Sequence, residues 1–181
     1  MVRWWVVAAA VPVVLAFVVA AVGFALSAPV RGDSMDPALR AGDRVLANPF
    51  GGTAPQRLDV VTVRPPGRDA VAVKRVVGVG GDQVRVSGGR VLVRPGGDER
   101  WHVLERPAEG TCCAPDGKGG VDAAVVVPEG SFFVLGDNTA VSTDSREYGF
   151  VARADVISVV WRRVWPPADV GEVPRPRLDP M

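Results

Sequence analysis

From Trp4 to Leu26 the chain carries no charged residue. Written as a helix rising about 1.5 Å per residue, this run reaches roughly 34 Å, enough for the hydrocarbon core of a bilayer. Pro12 lies inside it, which a membrane helix tolerates. Beyond Leu26 the pattern changes to short runs in which apolar residues recur with period two. Such runs over Arg44–Ala47, Leu58–Val63, Ala70–Asp82, Phe132–Leu135 and Val156–Val164 predict strands. Gln83–Ser87 and Arg90–Arg94 alternate strictly around Gly88-Gly89, which predicts a hairpin. The expected fold class is mainly β, an antiparallel β-sheet domain behind one N-terminal transmembrane helix. Residues 1–27 form the tip and anchor, and residues 28–165 the β-rich domain. Pro95–Asp122 turns to Gly, Pro and charge and reads as a surface excursion with little regular structure. Pro166–Met181 is proline-rich, lacks an apolar run and is expected to be disordered.

Arg3 precedes the apolar run, and Trp4 and Trp5 suit a membrane interface, so the short N-terminus is expected in the cytoplasm and the remainder outside it. A cleavable signal peptide, cut near Ala25 and Ser27, is the competing reading. The run exceeds the usual h-region of about 7–15 residues, which favours a retained anchor. The 181 residues carry 21 basic and 20 acidic side chains, net charge +1. With no basic block, nucleic acid is not an expected partner. The two cysteines, Cys112 and Cys113, are adjacent, and His102 is the single histidine, too few ligands at the wrong spacing for a zinc site. Without a G-x-S-x-G turn, and with His102 in no recognisable catalytic context, a Ser-His-Asp triad is not supported either.

The chemistry concentrates in three stretches. In Ala70–Asp82, A-V-A-V-K-R-V-V-G-V-G-G-D, Val71, Val73, Val77 and Val79 recur on one face, and Gly78, Gly80 and Gly81 close the run. Lys74 shares the other face with Ala72 and Val76. Only two lysines occur, Lys74 and Lys118. An ammonium among small apolar groups loses hydration, so its pKa falls, and unlike arginine it can give up its proton. A lysine snorkelling from a sheet edge is the plainer alternative. In V-R-G-D-S-M-D-P-A-L, residues 30–39, Ser34 offers a hydroxyl a few residues beyond the apolar run, with Met35 and Leu39 beside it. The alternative is a turn in which Asp33, Ser34 and Asp36 cap backbone donors. In S-F-F-V-L-G-D-N-T-A-V-S-T-D-S, residues 131–145, a strand runs into a tight turn. Ser142 can bond a nearby amine, and Asp144 and Arg146 can pair with each other.

Together these stretches resemble the type I signal peptidases, membrane-bound serine proteases that remove signal peptides from exported proteins. G-D-S-M-D-P-A-L is similar to the family's nucleophile box, with Ser34 as the serine. G-D-R-V at 42–45 and R-L-D-V-V-T-V-R-P at 57–65 match two further boxes. K-R-V-V-G-V-G-G-D at 74–82 matches the general-base box, with Lys74 as the lysine. G-D-N-T-A-V-S-T-D-S-R-E-Y-G at 136–149 matches the last.

The resemblance implies an endopeptidase working through a Ser34–Lys74 dyad, with no cofactor and no metal. Ser142 would orient Lys74, and Asp144 and Arg146 would hold the site together. Val30, Met35, Leu39, Ala72 and Val73 would line a shallow pocket for the small residues of an Ala-x-Ala site. The implied partners are signal peptides of preproteins and membrane lipid, at a single-pass position in the cell membrane. Gly32 replaces a serine that many members carry two residues before the nucleophile, which removes a side-chain donor to the oxyanion. Two other classes remain open: a Ser-Lys protease with a different task, such as a self-cleaving repressor, and a non-enzymatic membrane-tethered β-domain.

Overall fold

The computed structural model describes residues 4–48, 54–107 and 123–181, without the side chains of 4–9 and 106–107. The chain opens with helix α1 (Trp4–Leu26), 23 residues with Pro12 inside it. Among the described residues twelve strands follow: β1 (Ala28–Pro29), β2 (Arg44–Ala47), β3 (Val60–Val63), β4 (Ala72–Val79), β5 (Gln83–Ser87), β6 (Arg90–Arg94), β7 (His102–Pro107), β8 (Val125–Val126), β9 (Ser131–Leu135), β10 (Val151–Ala152), β11 (Val156–Trp165) and β12 (Leu178–Pro180). A four-residue helix, α2 (Ser145–Tyr148), lies between β9 and β10.

The strands make two antiparallel sheets, ordered β1-β2-β11-β3-β4-β9-β10 and β12-β7-β6-β5-β8. The mainly β, antiparallel expectation therefore stands. The helical state of Trp4–Leu26 is observed too. Crossing a bilayer is a further matter of length and apolarity, and among the described residues no helix has enough of both; the described side chains of α1 begin at Ala10. Arg3, which carried the orientation argument, lies outside the described residues.

The smaller sheet follows its sequence pattern closely. β5 and β6 pair from Gln83↔Arg94 to Ser87↔Arg90. Gly88 and Gly89 both have positive φ, 57° and 75°, the conformation a two-residue hairpin turn requires. Val84, Val86, Val91 and Val93 are all but fully buried, whereas the polar residues between them are not. They pack with Val77, Leu104, Phe133 and Leu135, so this cluster joins the two sheets. Asp82, 1% exposed, ties the junction: Arg57 donates to it from Nε at 2.6 Å, as do the backbone N–H groups of Val79 and Gly96.

β4 departs from strict alternation. Its register with β9 shifts between Val76 and Gly78, so Gly78 continues the strand and does not end it. Val73, Val77 and Val79, expected on one face, fall in three different apolar clusters. Val71 precedes the strand and is exposed. The irregularity shifts the alternation of faces by one position past Val76, so valines spaced by two on either side of it need not share a face.

Two expectations about irregular segments are corrected. The front of the 95–122 excursion forms β7, paired with β6 and β12. Residues 108–122, with Cys112, Cys113 and Lys118, lie outside the described residues. The tail, expected to be disordered, folds back onto the domain. Arg163 and Gly171 exchange backbone hydrogen bonds, Val173 is buried, and β12 pairs with β7 from Leu178↔Leu104 to Pro180↔His102. Its low apolar content does not keep it free, because backbone groups and one valine find partners on strands far away in sequence.

Candidate active site

β4 brings Lys74 to the middle of the larger sheet, opposite Val61 of β3. Lys74 is 4% exposed, with Val61 and Val76 fully buried beside it. Its Nζ donates to Ser34 Oγ at 2.9 Å, across 40 positions of sequence. Burial, the largest influence, pushes its pKa below the ordinary 10.5; Asp144 opposes that shift, Arg146 adds to it, and Asp137 opposes it. A neutral amine at this distance holds a lone pair where it can accept the Oγ hydrogen.

The Ser34 loop is held from below by apolar packing and from the side by charge. Met35, Ala38 and Leu39 are buried with Val30, Val45, Val60 and Val160. Leu39 N donates to Met35 O at 2.9 Å. Arg163 of β11 reaches Asp43 Oδ2 at 3.1 Å, and the same oxygen accepts from Arg40 N at 3.0 Å. Ser34 itself is half-buried. Its carbonyl accepts from Asn138 N at 3.0 Å, which ties it to the turn after β9.

That turn is clamped twice. Asp144 caps α2 and accepts from Arg146 Nε at 2.8 Å and Gly136 N at 3.1 Å. Arg146 also donates to Thr139 O at 2.8 Å and Ser142 O at 3.2 Å. On the other side Arg75, 1% exposed, donates to both Asp137 carboxylate oxygens, at 2.7 and 2.6 Å, and to Leu58 O at 2.8 Å. Arg75, Asp137 and Asn138 were not singled out by the sequence reading. The available signal was a second charge, Arg75, on a strand otherwise apolar; its partner sits 62 positions away.

The other expected site residues are placed as follows. Ser142 Oγ is buried near Gly136 but has no hydrogen-bond partner among the described residues, Lys74 included. Val30, Met35 and Leu39 share one cluster, with Val73 packed against it, whereas Ala72 packs against the cluster around Val61 and Val76. His102 is mostly buried and contacts Asp98 at 3.1 Å, in the other sheet from the dyad.

The depressed Lys74 pKa has a stability consequence. Between its folded pKa and 10.5 the unfolded chain binds more protons, so stability rises with pH across that window. Each unit of depression corresponds to about 1.4 kcal/mol. Lys74→Met is expected to raise the melting temperature by several degrees at neutral pH, and the gain should vanish above pH 10.5. Thermal unfolding across pH checks this; a gain independent of pH would contradict it.

Comparisons with known proteins bear on the chain as a whole. The family model described as "Signal peptidase, peptidase S26" matches residues 2–165. Signal peptidase IB of Staphylococcus aureus (strain Mu50 / ATCC 700699) is 31% identical over 172 residues, 90% of this chain and 88% of that protein. Signal peptidase I of Leptolyngbya laminosa is 32% identical over 157 residues, 81% of this chain and 72% of the other. A crystal structure of a signal peptidase I from Enterococcus faecalis V583 aligns with TM-score 0.42 and 28% identity, over 60% of this chain and 98% of that one. With its family match running nearly from the first residue to the end of β11, the chain belongs to the signal peptidase family, peptidase S26.

Proposed function

We propose that this chain is a membrane-anchored serine endopeptidase that removes signal peptides from exported preproteins, with Ser34 as nucleophile and Lys74 as general base. The observation that carries the reading is the 2.9 Å contact between Lys74 Nζ and Ser34 Oγ in a setting that disfavours the ammonium. Neutral Lys74 takes the hydroxyl proton as Ser34 Oγ attacks the scissile carbonyl. The Ser34 N–H steadies the oxyanion, with no hydroxyl at Gly32 to help. Lys74 returns the proton to the leaving amine. Water, deprotonated by the same amine, then releases the acyl group and regenerates Ser34.

The substrate enters as an added strand. β9 pairs with β4 only from Leu135, opposite Arg75, onward. Ala72, Val73 and Lys74 therefore have a strand partner on the β3 side alone, and the other edge can receive an extended peptide. Val73, at the margin of the Val30–Met35–Leu39 cluster, would face one of the small residues of an Ala-x-Ala site and Ala72 another. Ser142, buried without a partner, would bond the amine after a small rotation.

The anchor reading draws on α1 and its junction. Arg44 donates from Nε to Ser27 Oγ at 2.8 Å and from Nη2 to Ser27 O at 2.7 Å, and Ser27 is buried. Phe24 meets Trp165 edge-on at 5.9 Å. A helix end bound in this way is poorly placed to be cut at Ala25 or Ser27, which favours retention.

The test is cleavage of a preprotein by the purified chain in detergent, followed across pH, with the cut site read by mass spectrometry. Cleavage after a small residue is expected, with a rate that climbs through an acid limb below pH 10.5 as Lys74 loses its proton. No product, or a cut elsewhere, would overturn the reading.

A further inference from the structure

We infer that the C-terminal segment after β11 is a strap that positions the Ser34–Lys74 pair. The proposal rests on that pair being the reacting groups. The family match ends at residue 165, and the strap begins there. It turns back at once, with Arg163 N donating to Gly171 O at 2.8 Å and Gly171 N to Arg163 O at 3.0 Å. Two consecutive residues then reach the two halves of the site. Val173, 9% exposed, is packed into the apolar cluster of Met35 and Leu39, the cluster beneath the Ser34 loop. Pro174 O accepts from Arg75 Nη2 at 3.0 Å, across 99 positions of sequence.

Arg75 is the neighbour of Lys74 and the holder of Asp137. The next residue, Asn138, grips the Ser34 carbonyl. A chain of direct contacts thus runs from the strap through Arg75 and Asp137 to the turn that seats the nucleophile. Beyond Pro174 the strap is fastened to the second sheet: Glu105 N donates to Arg177 O at 3.0 Å, β12 pairs with β7, and Met181 N donates to Trp101 O at 2.9 Å. The strap therefore touches both sheets. Glu172, Val173 and Arg175 also wall a cavity of about 440 Å³ that reaches Arg75 and Val60. This cavity is already open to solvent on one side, and loosening the strap removes its wall next to Arg75.

Two consequences follow for catalysis. With one acceptor lost and water admitted, Arg75 no longer fixes Asp137 in a single geometry, so near-attack placement of Ser34 is sampled less often. Water nearer to Lys74 weakens the desolvation that keeps its amine neutral, so a larger fraction is protonated at neutral pH.

The experiment is the full chain purified in detergent, with Val173→Asp placing a carboxylate where the strap is buried. Expected are faster tryptic cleavage after Arg177, kcat lowered about tenfold or more per folded molecule, KM within about twofold of wild type, and an acid limb moved to higher pH. Val173→Ile should retain wild-type kcat, and Val173→Ala should fall between. A strap that only adds stability would lower the melting temperature and leave the acid limb in place. Loosening without loss of kcat, or with an unmoved acid limb, overturns the proposal. Should Val173→Asp fail to fold, Val173→Ala decides, and wild-type kcat with an unmoved limb in that variant overturns it equally. A Ser34→Ala control separates the two readings. If it still cleaves, the dyad falls and the strap proposal with it. If it is inactive while loosened straps are fully active, only the strap proposal falls.

Discussion

Arginine in place of Lys74 is expected to abolish preprotein cleavage, with kcat/KM falling by about 10³-fold or more at neutral pH. The substitution keeps a long, positively charged side chain at a position 4% exposed. What it removes is the ability to be neutral, since a guanidinium does not deprotonate in a protein. Charge at position 74 would support any purely structural or ligand-binding role, so retention of charge without activity isolates proton transfer. Ser34→Ala should fall to the same floor, and the double variant should fall no further, because two groups that exchange one proton fail as a unit. Raising the pH should not rescue the arginine enzyme, whereas the wild type should gain activity through its acid limb. Rates from a defined preprotein in detergent, compared over pH, decide the matter. An active Lys74→Arg enzyme would remove the general-base mechanism.

The second large effect is expected at Gly136. An added Cβ there would lie 2.5 Å from Ser142 Cβ and closer still to Ser142 Oγ and to the carbonyl oxygen of Ser34. Two of these three atoms are side chain and one is backbone, and the backbone one belongs to Ser34. Rotation of Ser142 would clear its Oγ but leave its Cβ and the Ser34 carbonyl oxygen in the way. The methyl group must therefore push the Ser34 loop away from the β9 turn. Overpacking of this kind costs about 1–3 kcal/mol in stability. The catalytic penalty is larger, because a displacement near 1 Å at the reacting atom costs on the order of 100-fold in rate. Gly136→Ala should thus melt only a few degrees lower yet lose about 100-fold in kcat. Differential scanning calorimetry beside single-turnover kinetics checks both. Equal, small effects on stability and rate would mean that the turn yields without moving Ser34.

The strands were legible because their information is local. Period-two alternation of valines, with Gly88-Gly89 between two runs, specifies a hairpin whatever lies elsewhere, and β5 and β6 occupy the expected residues. Lys74 was legible for a related reason: a lysine is conspicuous on an apolar strand in a chain with only one other. Ser34 was weaker, since a serine in a turn has many ordinary roles, and it was the order of five similar boxes that singled it out. Arg75 was overlooked because its explanation is not local. A guanidinium in a valine strand makes sense only beside Asp137, Leu58 O and Pro174 O. The tail misled for the opposite reason. Its composition argues against a core of its own, and it has none; it borrows one from the Met35–Leu39 cluster and from the edge of β7.

By itself the sequence determined a β-rich domain behind an apolar N-terminal run, the residues of one hairpin, and two side chains whose chemistry suits a proton exchange. These follow from side-chain period, turn residues and the acid–base range of each group, all of which a short window of chain contains. Only the tertiary structure decided that Lys74 Nζ stands 2.9 Å from Ser34 Oγ, that Arg75 holds the turn bonded to Ser34, and that the last residues reach both sheets. Those are distances between segments 40 to 99 positions apart, set by which strands pair and in which register. Pairing of that range is a property of the whole packed chain and of no window within it.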